Sequence, residues 1–131
     1  MTKSARTARE IREERLKTDP EFRSYWERTA LGRAVARVLI GYRVEHALSQ
    51  TQLARQLGMS QRQVARLEIG EGTPSLQTLR SLAQLLGKRL VLAITPAVEG
   101  VGLTDMPLPE GARVLEDIVA TDGSRLVVAA G

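Results

Sequence analysis

Four long hydrogen-bonding side chains, Gln61, Arg62, Gln63 and Arg66, fall in one short stretch, and no acid interrupts them before Glu68. A glutamine amide bonds adenine N6 and N7 together, and an arginine guanidinium bonds guanine O6 and N7; each good pair discriminates by about 1–3 kcal/mol. On a helix these residues make an exposed face suited to base edges. A second cluster, Ser49-Gln50, opens the preceding apolar-periodic run. Serine hydroxyls and the free backbone amides of a helix N-terminus suit phosphate. Glu68 has the wrong sign for either task and is expected to face its own protein.

These groups need a scaffold of two helices crossing tightly at a steep angle. The segment QTQLARQLGMSQRQVARLEI (Gln50–Ile69) meets each requirement. Leu53, Leu57, Val64 and Leu67 fall on the inward faces. Ala54 sits where the helices touch most closely. Gly58 permits a positive φ at the turn. Met59 plugs the turn from the apolar side, and Ser60 caps the second helix.

The stretch Leu31–Leu86 resembles the lambda-repressor/Cro-like, or XRE-type, helix-turn-helix family. The matching runs are LSQTQLARQLGMSQRQVARLEIG and PSLQTLRSLAQLLG. The resemblance implies a bundle of about five helices, with the helix near Gln61 as the recognition helix. It also implies that Gln50 contacts a phosphate and braces Gln61. The DNA-binding set is then Ser49, Gln50, Ser60, Gln61, Arg62, Gln63 and Arg66. Thr73 and Arg80 are candidates for the flanking backbone. Arg33, Arg37, Arg43 and Arg55 add positive charge, with no face assigned to them. His46 is expected to cap a helix C-terminus, where a cationic imidazole is favourable.

Charge supports the placement. Residues 1–30 carry eight Lys/Arg against six Asp/Glu, residues 31–95 nine against three, and residues 96–131 two against six. The basic middle suits a polyanion; the acidic tail does not. Without cysteine and with a single histidine, the chain has no disulfide, thiolate site or His-based dyad. It shows no metal-ligand cluster, phosphate-cradling loop or nucleophile–base pair. A protein that is not an enzyme and takes no cofactor is expected. No run approaches the roughly 18 apolar residues of a membrane span. The charged N-terminus does not read as a signal peptide, so the expected location is the cytoplasm.

The elements follow from periodicity and caps. Residues 1–17 suit a frayed or disordered helix, with pairs available between Arg6 and Glu10 and between Glu13 and Lys17. Asp19-Pro20 starts a helix whose Phe22, Tyr25, Trp26 and Thr29 share one face, expected to pack on the next helix. Helices follow from Leu31 to about His46, from Ser49 to Gly58, from Ser60 to Gly70 and from Ser75 to Gly87. Arg89–Thr95 reads as a strand, residues 96–111 as a linker, and Arg113–Ala120 and Arg125–Ala129 as a hairpin on a type I′ turn at Asp122-Gly123. The Leu126-Val127-Val128 run is expected to be covered.

The fold class expected is mainly α: a lambda-repressor-like five-helix bundle over 31–88, a charged helical extension over 1–30, and a small β element over 89–131. Such units bind as dimers on palindromic operators, with half-sites about 34 Å apart. Arg89–Thr95 is the first dimerisation candidate, because an edge strand can pair with its two-fold copy. The order of charged helix (DPEFRSYWERTALGRAVARVLI), motif and GKRLVLAI is similar to HigA-type antitoxins of type II toxin–antitoxin operons. That likeness implies autorepression and binding of a small basic ribonuclease toxin. The alternatives are a stand-alone phage-repressor-type regulator, whose strands serve dimerisation or effector sensing, and an interaction module without DNA binding.

Overall fold

The computed structural model describes residues 5–96 and 108–131; most of the expected linker lies outside them. Among the described residues the chain forms α1 (Ala8–Thr18), α2 (Pro20–Arg28), α3 (Ala30–Glu45), α4 (Gln50–Leu57), α5 (Gln61–Ile69), α6 (Leu76–Leu86), β1 (Leu90–Pro96), β2 (Arg113–Val119) and β3 (Ser124–Ala130). The protein is mainly helical, with a small C-terminal sheet.

Four helices supply one aliphatic core. Val35 and Leu39 of α3 meet Leu53, Ala54 and Leu57 of α4, Val64 of α5, and Leu82 and Leu86 of α6. The span 31–88 thus holds four helices rather than the expected five; α2 precedes it, runs into α3 through Thr29 and adds no residue to the core. Side-chain oxygens of Ser49, Ser60 and Ser75 accept the orphan backbone N–H groups of α4, α5 and α6. The turn between α3 and α4 closes with bonds from Ala47 N to Val44 O and Leu48 N to Arg43 O. Ala47 takes φ 51° there and is the one non-glycine with positive φ among the described residues.

α1 is more regular than its composition suggests. Thr7 and Glu10 form a reciprocal capping box. This use of the Glu10 carboxylate leaves Arg6 to pair with Glu14 instead. Glu13 pairs with Arg9 rather than Lys17. Asp19 caps α2 as expected; the Phe22 N–H it accepts holds its carboxyl below the usual range.

The aromatic face does not join the core, and no residue of α2 is buried. The guanidinium carbons of Arg12 and Arg33 lie 5.0 and 3.4 Å from the Trp26 ring centroid. Arg15 covers Phe22 at 4.2 Å. Arginine stems and guanidinium planes do the covering that an apolar partner was expected to do.

The sheet has the order β1-β3-β2, wholly antiparallel. The C-terminal hairpin extends β1 by seating β3 in the middle, with Leu92 opposite Val128 and Ile94 opposite Leu126. Val127 and Val128 are buried and Leu126 half-buried, which covers the apolar run as expected. The hairpin turn differs from expectation. A type I′ turn needs positive φ at both central residues, and Gly123 has it (88°) while Asp122 does not. The loop instead spans Thr121, Asp122 and Gly123, closed by Gly123 N to Ala120 O (2.9 Å) and Ala120 N to Ser124 O (2.8 Å). The Asp122 carboxylate accepts from both Ser124 Oγ and N, which holds the aspartate in this turn.

The sheet is fastened to α3 by charge. Arg33 Nε donates to Glu116 Oε1 at 3.0 Å, and Arg37 Nη1 to Leu115 O at 2.7 Å. Arg33 also donates to Trp26 O and Thr29 Oγ1, so one guanidinium ties α2, α3 and β2 together.

Candidate nucleic-acid interface

Ala54 of α4 is 2% exposed and lies in the cluster that also holds Val64 of α5, and Met59 N donates to Ala54 O at 3.0 Å. Gly58, at φ 67°, makes the turn between them. This places the first turns of the two helices side by side. Gln61, at the start of α5, reaches Gln50, at the start of α4: Gln61 Nε2 donates to Gln50 Oε1 at 2.8 Å. Gln50 Nε2 in turn donates to Glu68 Oε2 at 2.5 Å. Arg43 holds the other end, with Nε 2.7 Å from Glu68 Oε1. The Glu68 side chain is 7% exposed and faces its own protein, as expected.

The polarity of this chain is fixed chemically. An ionised carboxylate only accepts. Gln50 must therefore turn its NH2 to Glu68 and its carbonyl to Gln61. Gln61 must then turn its NH2 to Gln50. What Gln61 leaves free is its carbonyl and one N–H, a side-by-side acceptor and donor. Adenine offers the matching N6–H donor and N7 acceptor in the major groove.

The other expected residues divide by what already holds them. Arg62 and Arg66 are exposed and make no ion pair with another described residue. The exposed Arg55 is alike in this. Gln63 spends its Oε1 on the Ser60 N–H at 2.8 Å, while Ser60 Oγ accepts from Gln63 N. Ser49 and Gln52 form the same box on α4. Gln52 was not singled out, although both pairs follow one serine-x-x-glutamine pattern. Each box uses the N-cap and N3 amides and leaves the backbone N–H groups of the first two helical residues, Gln50 and Thr51 on α4 and Gln61 and Arg62 on α5, without an intrahelical acceptor, a fit for phosphate.

Arg33, Arg37 and Arg43, which had no assigned face, turn to Glu116, Leu115 O and Glu68. Arg80 lines a cavity against the sheet. His46 caps α3, with Nδ1 2.9 Å from Tyr42 O and its ring stacked on Tyr42.

Two serine-capped helices joined at a glycine turn, with their first turns linked by an amide chain to the Glu68–Arg43 pair, have the geometry of a helix-turn-helix. Residues 40–92 match the family model described as Helix-turn-helix. The match runs from within α3 to within β1 and supports a transcriptional regulator. No curated protein and no solved structure matches the chain. Among the described residues, no helix is long and apolar enough to cross a membrane.

Proposed function

We propose that the protein is a sequence-specific repressor that binds a palindromic operator as a homodimer in the cytoplasm. The carrying observation is the Gln61–Gln50–Glu68–Arg43 chain, whose amide polarity supports reading Gln61 as the adenine contact. Arg62 and Arg66 are the guanine-reading candidates. Gln63 adds its remaining N–H donors. Ser49, Ser60, Gln50 and the first-turn amides hold phosphate. The recognition unit is residues 31–88, flanked by extensions at 1–30 and 89–131.

β1 supports the dimer. It is an edge strand, and Leu92 and Ile94 on it are 46% and 70% exposed. Leu76 beside it is 75% exposed. An unprotected apolar edge is a pairing template.

We further propose that the protein is the antitoxin of a type II toxin–antitoxin pair. α1 buries none of its residues in its own protein, which leaves that helix available to a partner. The acidic C-terminal region suits a basic toxin. One observation favours the stand-alone regulator instead: the sheet, α3 and α6 line a part-open apolar cavity.

Two experiments test these readings. Selection from randomised duplexes should return a palindrome whose half-sites carry adenine at one fixed position; recovery of unrelated sequences contradicts sequence-specific repression. An adjacent small basic reading frame should be toxic alone and harmless when co-expressed with this chain. Lack of toxicity removes the antitoxin role.

The relay carries its own prediction. Glu68→Gln lets Gln50 face either way, so the orientation of Gln61 is lost. Operator affinity should fall about tenfold, within the range of one bidentate contact, while random-duplex affinity holds. Fluorescence anisotropy on both duplexes reads this directly. An unchanged operator affinity contradicts the relay.

A further inference from the structure

We propose that the cavity between α3, α6 and the sheet binds a small amphiphile with an apolar body and a carboxylate head. The cavity measures about 190 Å³. Its walls are aliphatic, including Val38 of α3, Leu79 of α6, Leu90 of β1, Leu115 of β2 and Val128 of β3. Arg80 is the single charged residue among them, exposed and without an ion pair to another described residue.

Size and chemistry select the ligand. An apolar cavity of about 150 Å³ stays dry and takes up benzene. This one therefore suits a body of about six to eight non-hydrogen atoms. A wholly apolar ligand leaves the Arg80 guanidinium unused. A cationic head is repelled by it, and a carboxylate is attracted. A short straight-chain carboxylate such as hexanoate satisfies both ends: the alkyl chain lies among the leucines and valines, and the head meets Arg80 at the rim.

The position gives such a ligand leverage. It touches α3, α6 and all three strands at once. α3 and α6 also wall the core that holds α4 and α5. Binding changes how the sheet sits on the helix-turn-helix, and the sheet includes the edge strand β1. The proposal stands whether or not the chain has a toxin partner, and its test uses no DNA, so it fails separately from the operator reading.

The test is titration of the methyl-labelled full chain with hexanoate, hexan-1-ol and hexylammonium, followed by NMR. Saturable shifts confined to the methyls of Val38, Leu79, Leu90, Leu115 and Val128 are expected, with hexanoate about fivefold tighter than hexylammonium. Arg80→Gln, at an exposed side chain, should erase that preference while hexanol binding stays the same. Leu79→Phe should fill the cavity and abolish all three titrations, with a thermal melt confirming that this variant folds. Absence of saturable shifts up to about 10 mM overturns the proposal. So does equal affinity for the two charged heads. Leu76, Leu90 and Leu92 on the cavity rim also border the edge proposed for the dimer, so contacts there alone are those of strand pairing; contacts from a second copy to the methyls of Leu115 and Val128, seen in a mixed-label sample, overturn the proposal as well, because the occupant is then the partner protomer.

Discussion

Gly32→Ala is expected to destabilise the protein by about 3 kcal/mol, the upper range for forcing atoms into a packed site. Gly32 is buried in the first turns of α3, against the loop that follows α5. A Cβ there would lie 2.4 Å from Gly72 O and 2.7 Å from Gly70 O. Both obstacles are backbone atoms, which cannot swing aside as a side-chain tip can. Gly70 cannot retreat easily: at φ 76° it caps α5, and a Cβ on it would lie 3.3 Å from Gly32 O. Relief requires α3 to move off the end of α5. Gly41, on the same helix, is the control. Nothing lies within 4 Å of its Cβ position. Gly41→Ala should therefore stabilise by up to about 1 kcal/mol through helix propensity. Thermal melts should show shifts of opposite sign, with Gly32→Ala lower by roughly 10 °C or more. Equal shifts would mean that the close approach carries no energy.

Glu116→Ala is the second large effect, expected to cost about 3 kcal/mol. The Glu116 side chain is 8% exposed and that of Arg33 15%. Removing the carboxylate leaves a guanidinium enclosed between α2, α3 and the sheet, with Trp26 O, Thr29 Oγ1 and the Trp26 ring as its remaining partners. The cost is that of an uncompensated buried charge rather than the net worth of the pair. The double substitution Arg33→Met with Glu116→Leu removes both charges and should recover most of the loss. Denaturant unfolding of Arg33→Met, Glu116→Leu and the double gives the coupling. If the losses simply add, the pair does not fasten the sheet to α3. Hydrogen exchange should show Glu116→Ala loosening β2 and β3 before α4 and α5, because the pair ties the sheet to α3 and leaves the Arg43–Glu68 pair intact.

Much of this fold was legible. Serine caps and terminal glycines bracket α4, α5 and α6, and both signals act through the backbone locally. Leu53, Leu57 and Val64 are buried where helical spacing puts them. The inward turn of Glu68 was legible from its sign. Long-range pairings were not. Nothing local distinguishes Arg33, Arg37 and Arg43 from Arg55, yet the first three turn to protein. Their partners lie 25 to 83 residues away in sequence. The fate of Phe22 and Trp26 was misread for a related reason: an aromatic stripe looks the same whether leucines or arginine stems cover it.

Some signals were present and outweighed. Thr7-x-x-Glu10 marks the start of α1, but the sparse apolar content of residues 1–17 argued for disorder. Serine followed by glutamine three residues later marks two capping boxes and would have set Gln63 apart from Gln61. A glycine inside the apolar period of α3 costs helix propensity and so asks for a packing reason, which Gly32 has. The seating of β3 between β1 and β2 had no local sign, because either edge of a hairpin is open to pairing.

In the proposed complex the first turn of α5 reads bases while charge elsewhere holds phosphate. The direct test compares Gln61→Ala, Arg62→Ala and Arg55→Ala for affinity to the selected operator and to random duplex, at one fixed salt concentration. Gln61→Ala and Arg62→Ala should each lose about ten- to hundredfold on the operator and little on random duplex. Arg55→Ala should lose about equally on both. Equal losses on both duplexes for all three variants would contradict the assignment of α5 as the reading face.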